Sequence, residues 1–439
     1  MSEIKVNSLS EYLSFLEEND FLRGAYSYRG EHSRINDKGE VVNYNKRISG
    51  AFRIPVNSSH PHGKNKYHTF LNKIEKYYED IGYRLSQVEK EHFIAFAQHH
   101  GLSTNLLDVT SSPLVALFFA CYEEQCCKYK KDNNEGKVYV FEKATIDVTE
   151  VLGEFHKRNI LEQNIFEELI NDNVVVYQKM YAALHKYVKK NFFATKKEYI
   201  ENETAWIPLE CSPKAKERIC ILYNCAFQLY DYRRTETRAL GEDLMRSGSN
   251  SRLKLPEVEG VDYEKILELD EINKYEHFLS LSHGILQEEC MSFFAEYFKQ
   301  VELGRFADYL TNIYLIFLIY ILKKGVHLYE TAKKPLFCGK CSQKELCNEK
   351  PNFLPDLIYK SKITFNRARL QKGYFIYQPY ITADEEEGEI VLFQENNPII
   401  EISITNARGI LKQLDAIGIN VGTVFGDYDS IAKYIKEDL

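Results

Sequence analysis

At 439 residues the chain exceeds one average domain, which points to two or three units or to one domain carrying a large insertion. Apolar residues make up 44% and aromatic residues 13%, which excludes a disordered chain and implies a packed core. A formal charge of −8 excludes nucleic-acid binding by overall charge and leaves only a local basic groove as a route to it.

The first residues lack a basic start followed by an apolar run, so no export signal is read there, and the expected location is the cytoplasm. Leu9, Tyr12, Leu13 and Leu16 then recur at helical spacing, with Ser8 or Ser10 placed to cap the start. Tyr26 to Gly30 alternates as a strand running into a turn, and residues 31–48 are polar and loop-like. Two helices are predicted over 66–100, ended by Gly101. Leu102 to Asp108 reads as a short strand. Pro113 suits the first turn of a buried helix capped by Ser111 or Ser112. Lys137 to Glu142 alternates as a strand.

From about 145 to 360 helical patterns dominate. Within this region, 233–256 is loop-like. Lys186, Lys189, Lys190, Lys196 and Lys197 read as a solvated helix face. The uncharged stretch Tyr309 to Leu322 is too short to span a bilayer and reads as a buried helix. Strand character returns at 373–377, 389–393 and 399–404. A helix follows over Ala407 to Ile417, then a strand at 423–425 and a last helix over Asp429 to Lys436. The fold class expected is α+β. Residues 1–143 and 361–439 form one split, mixed-sheet domain around a mainly helical insertion, 144–360.

Three separated segments carry a resemblance to the FRG domain family. The triplet that names the family stands as Tyr28-Arg29-Gly30. The run Gln98-His99-His100-Gly101-Leu102-Ser103-Thr104-Asn105-Leu106-Leu107-Asp108 leads into the helix begun by Pro113. A third motif matches at Arg367, Gln371, Gly373 and Phe375. Tyr28, Ser103, Asn105, Val109 and Gly426 depart from the family pattern, Gly426 standing where proline is usual. The order of these parts is similar to that of ADP-ribosyltransferases. The resemblance therefore implies an ADP-ribosyltransferase-like fold and NAD as substrate. It also implies the role of a bacterial toxin or anti-phage effector, with a nucleic-acid or protein acceptor.

On that resemblance Tyr28, Arg29, Gly30 and Thr104 are expected to contact NAD, and Arg29, His99 and Gln371 to take part in catalysis. Arg29 is suited to a forked contact with phosphate or ribose, and Gly30 to close backbone approach. His99 or His100 fits a general base or a ribose contact; the alternative is a hydrogen-bonded histidine at a helix end. Asp108 is read as a brace that caps the following helix or bonds Arg29. Gln371 cannot ionise, so it cannot be a carboxylate base. This leaves a nucleophilic acceptor, NAD hydrolysis, or a nucleotide sensor without chemistry.

Cys338, Cys341 and Cys347 form a knuckle suited to tetrahedral metal geometry. Zinc is the first expectation, an iron–sulfur cluster the second and reduced thiols the third. A nucleic-acid-processing protein organised by that cluster is the remaining functional alternative. Cys121, Cys126, Cys127, Cys211, Cys220 and Cys225 read as core thiols.

Overall fold

A computed structural model describes residues 4–22, 26–35, 41–42, 48–52, 67–122, 135–142, 144–155, 164–171, 173–191, 354–363, 366–383, 389–394 and 396–437, and positions 311, 314–315, 318–319 and 321–323. The loop expected at 233–256, Lys196, Lys197 and every cysteine except Cys121 lie outside the described residues. The chain divides into two compact units. One is Met1–Thr149, Asp356–Gln378 and Glu395–Leu439; the other is Glu150–Pro355 and Pro379–Gln394.

The first unit is built on an eight-stranded sheet. In chain order its strands are β1 (Ile4–Val6), β2 (Ser27–His32), β5 (Leu106–Thr110), β6 (Gly136–Phe141), β7 (Ile146–Asp147), β8 (Leu357–Tyr359), β9 (Gly373–Tyr377) and β12 (Ile400–Ile404). Their spatial order is β1-β12-β6-β2-β5-β9-β8-β7. β1 runs parallel to β12 and β7 parallel to β8, and the other neighbours are antiparallel, so the sheet is mixed, in an α+β architecture. β8 and β7 join this sheet although residues 357–359 and 146–147 fall in the stretch read from sequence as insertion. β3 (Arg34–Ile35) and β4 (Val41–Val42) pair as a short antiparallel ribbon within the segment expected to be loop.

Alternation along the strands sorts the two faces. Tyr28, Val138, Val140, Ile402 and Ile404 pack with α1 (Leu9–Glu18), α5 (Pro113–Cys121) and α10 (Ala407–Ala416). Leu107, Val109, Tyr139, Phe141, Ile358 and Ile376 form a second cluster. Directly paired residues share a face, so the pairing of Arg29 with Tyr139 sets Arg29 on the side of the second cluster.

Local chemistry explains the helix starts. The Ser8 hydroxyl accepts from the Glu11 amide, and the Ser112 hydroxyl accepts from the Val115 amide just ahead of Pro113. Two further expectations are corrected. Gly30 does not begin a turn, because β2 continues to His32. The strand expected at 423–425 is instead part of the helix α11 (Val421–Phe425). Asn420 and Thr423 form a reciprocal capping box there, and Gly426, at φ +68°, closes the last turn. Proline cannot adopt that backbone angle, so the glycine at 426 and the helix it ends belong together.

The second unit contains α6 (Thr149–Phe155, whose first residue belongs to the other unit), α7 (Ile165–Ile170) and α8 (Val174–Asn191). It also holds the antiparallel pair β10 (Tyr380–Ala383) and β11 (Glu389–Phe393). In α8, Tyr177, Met180, Leu184 and Val188 form a buried stripe, and Lys186, Lys189 and Lys190 are exposed. The described residues between 311 and 322 are helical and buried, as the apolar pattern implies. Among the described residues no helix is long and apolar enough to cross a membrane.

Candidate functional site

Segments far apart in sequence meet on β2, β5 and β9, which are neighbours in the sheet. Asp108 pairs with Phe375, and Thr110 with Gly373. The third motif lies on and just before β9, with Arg367 in α9 (Asn366–Leu370) and Gln371 in the turn after it.

β2 and β5 are joined at a single register pair, Tyr28 with Thr110. Beyond it Arg29 bridges the strands: its Nη1 donates to the Asp108 carbonyl at 2.7 Å and its Nε to Glu31 Oε1 at 2.9 Å. The two side chains of that ion pair are 15% and 6% exposed, so it is largely shielded from water. Glu31 was not singled out from sequence. Its signal is alternation, since residues 29 and 31 of one strand share a face.

Gly30 faces the helix. A Cβ there would lie 1.6 Å from the Ala116 carbonyl oxygen, and one at Gly136 would lie 1.8 Å from that of Ala120. The two glycines let α5 lie directly on β2 and β6; this close approach is to a helix backbone. Tyr28 points into the same core, 2% exposed, and its hydroxyl donates to the Phe21 carbonyl at 2.5 Å. Burial, with Tyr26 and Tyr374 nearby, pushes its phenol up to about 12.

On the face shared with Tyr28 and Thr110, a polar chain runs from the core to the surface. The Thr104 hydroxyl, fully buried, donates to Gln98 Oε1 at 2.7 Å and accepts from the Leu106 amide at 3.1 Å. Gln98 Nε2 donates in turn to Asp108 Oδ2 at 2.9 Å. Asp108 is exposed, although the other four residues of β5 are buried. It does not cap α5, because Ser112 does, and Arg29 takes its main-chain carbonyl. Of the two bracing roles expected of Asp108, capping falls to Ser112, and the bond to Arg29 is made by its main-chain oxygen, not its carboxylate.

His99 ends α4 (Phe93–His99). Burial lowers its pKa, and the charges of His100 and Arg367 lower it further against an opposing pull from Asp108. At neutral pH the ring is therefore neutral and able to accept a proton. Arg367 is exposed and stacks on the Phe425 ring, 4.6 Å from guanidinium carbon to centroid. Arg367 also helps hold Asp427 below its ordinary carboxylate value, after hydrogen bonds from Ser430. Gln371 accepts the Thr110 hydroxyl at its main-chain oxygen, 2.6 Å away. Its buried Nε2 has no acceptor among the described residues.

The expected site residues thus fall into two groups. His99, Thr104, Asp108 and Gln371 are strung along β5, with Thr104 ahead of its first residue, Asp108 at its middle and Gln371 bonded to Thr110 at its last. The Arg29 side chain belongs to the opposite face and reaches this group at the Asp108 main chain. Cys121 is buried, and its thiol is pushed up to about 12, as suits an inert core residue. No group of three metal-ligating side chains occurs among the described residues, and Cys338, Cys341 and Cys347 lie outside them.

Comparison with known proteins agrees with the motif geometry. Residues 24–128 match the family model of the FRG domain, and that span holds Arg29, Gln98, His99, Thr104 and Asp108. No curated protein and no solved structure matches the chain. Residues 24–128 of the chain therefore carry an FRG domain, and β9, from beyond the matched span, brings the third motif beside its strand β5.

Proposed function

We propose that the FRG domain is an ADP-ribosyltransferase-like unit that binds NAD and breaks its nicotinamide–ribose bond. The observation that supports this reading is His99, neutral at neutral pH, beside the exposed carboxylate of Asp108 and the exposed guanidinium of Arg367. A base, an anion and a cation grouped about the middle of a central strand match the needs of this chemistry. Nicotinamide leaves ribose C1′ with the electrons of the glycosidic bond, a nucleophile closes on C1′, and the nucleophile's proton goes to a neutral imidazole. Gln371 serves in this reading as a positioning amide, and Arg29 fixes the β2–β5 junction beneath the site.

The full chain is incubated with NAD, alone and with protein, DNA and RNA pools, and free nicotinamide and acceptor masses are measured. Nicotinamide release that falls at least tenfold in His99→Ala supports the reading. Absence of release with every pool sinks it.

The second reading is a nucleotide sensor without turnover. It is favoured by the state of the two other expected catalytic residues: Gln371 carries no ionisable group, and the Arg29 guanidinium is already engaged with Glu31 and Asp108. Thermal stabilisation by NAD without nicotinamide release is its signature.

A further inference from the structure

Asp108 is an anomaly for a central strand. It sits on the fifth of eight strands, flanked on its own face by Leu106 and Thr110, both buried. A charged side chain at such a position is ordinarily covered or replaced by an apolar one. Here the sheet face is open at this point, and the carboxylate is also held in place. Oδ2 accepts from Gln98, and Gln98 is itself fixed by the buried hydroxyl of Thr104. Oδ1 accepts no hydrogen bond among the described residues.

A buried threonine and a glutamine arranged in series to orient an exposed carboxylate contribute little to packing. Besides bonding the Leu106 main chain, they present one acceptor oxygen in a fixed direction. Neither bracing role remains for it, because Ser112 caps α5 and Arg29 bonds the Asp108 main chain.

We propose that Asp108 is a ligand-contacting residue whose carboxylate accepts the hydroxyl groups of a ribose, with Arg367 taking the adjoining phosphate. This assignment rests on the nucleotide-binding reading above. An ionised carboxylate is an acceptor only, so it selects hydroxyl donors and repels phosphate. Arg367 provides the complementary preference, and its stacking on Phe425 limits the entropy lost when it grips an anion. Asp108 pairs with Phe375 on β9, and Arg367 lies in α9 just ahead of that strand, so neighbouring elements carry the two charges. The ligand class is a ribose joined to a phosphate.

Calorimetric titration of the full chain with ADP-ribose, and competition by pyrophosphate, test the assignment. ADP-ribose carries sugar and phosphate without a cleavable nicotinamide; pyrophosphate carries phosphate alone. Asp108→Asn preserves shape and can still accept from Gln98, and Asp108→Ala serves as a second variant if the first unfolds. Weakening of ADP-ribose by about tenfold or more, with pyrophosphate unchanged or tighter, supports the proposal. Arg367→Gln weakens both ligands. If wild type binds ADP-ribose and Asp108→Asn binds it equally well, the Asp108 assignment is overturned while nucleotide binding stands. Loss of both ligands by the same factor in Asp108→Asn also overturns it, as a general perturbation. Failure of wild type to bind ADP-ribose at millimolar concentration overturns the nucleotide reading itself, and with it this assignment.

Discussion

Arg29 Nη1 lies 2.7 Å from the main-chain oxygen of Asp108, and this bond spans β2 and β5 next to their single register pair. The strands' own ladder does not extend to this point, so a side chain satisfies a carbonyl that would otherwise need a strand partner. The arginine of the family triplet is therefore part of the sheet as well as a neighbour of the site.

Arg29→Met removes that bond and takes the cation away from Glu31, whose side chain is 6% exposed. The expected loss is about 1–4 kcal/mol, read as a lower urea midpoint with unchanged slope. Arg29→Met combined with Glu31→Gln should recover part of it. A double variant no more stable than the single one would mean that Glu31 is not destabilising once Arg29 is gone.

Gly30→Ala is expected to be among the most damaging single substitutions. Its new methyl would lie 1.6 Å from the Ala116 carbonyl oxygen, against helix backbone that cannot rotate aside. A loss of about 3 kcal/mol or more, or failure to accumulate as folded protein, is expected. A melting temperature near wild type would show that α5 can lift from β2.

Thr104→Val conserves shape and deletes one buried hydroxyl. Gln98 Oε1 loses a donor and the Leu106 amide an acceptor. The expected destabilisation is about 1–3 kcal/mol by chemical denaturation. Under the assignment of Asp108 to ribose, affinity for ADP-ribose should fall as well, by less than in Asp108→Ala, because the carboxylate stays but loses its fixed direction.

His99 gives a pH dependence of definite sign. Its folded pKa is lowered, by burial first and then by His100 and Arg367, from the ordinary 6.5. The unfolded chain therefore binds the proton more readily. The stability contributed by neutral His99 is complete above the ordinary value, declines as pH falls through it, and levels off below the folded value. His99→Gln should flatten that part of the stability profile between pH 7.5 and 5. An unchanged slope would assign it to other groups.

Local signals wrote much of the first unit into its sequence. Ser8, Ser112 and Pro113 mark helix starts, and the strand patterns at Tyr26 to Gly30, Lys137 to Glu142 and 399–404 fall on β2, β6 and β12, because caps and faces depend on residues a few positions apart. The resemblance likewise picked out the three segments that end up side by side. Tertiary structure alone decided how they meet. Pairing of Asp108 with Phe375 joins residues far apart in the chain, and no local pattern encodes that register. It also decided that Gly30 admits a helix backbone, that Tyr28 enters the core, and that the Asp108 carboxylate stays exposed and oriented. Those outcomes depend on which surfaces are brought within a few ångströms by long-range burial, a property of the assembled sheet and its covering helices that neighbouring residues do not carry.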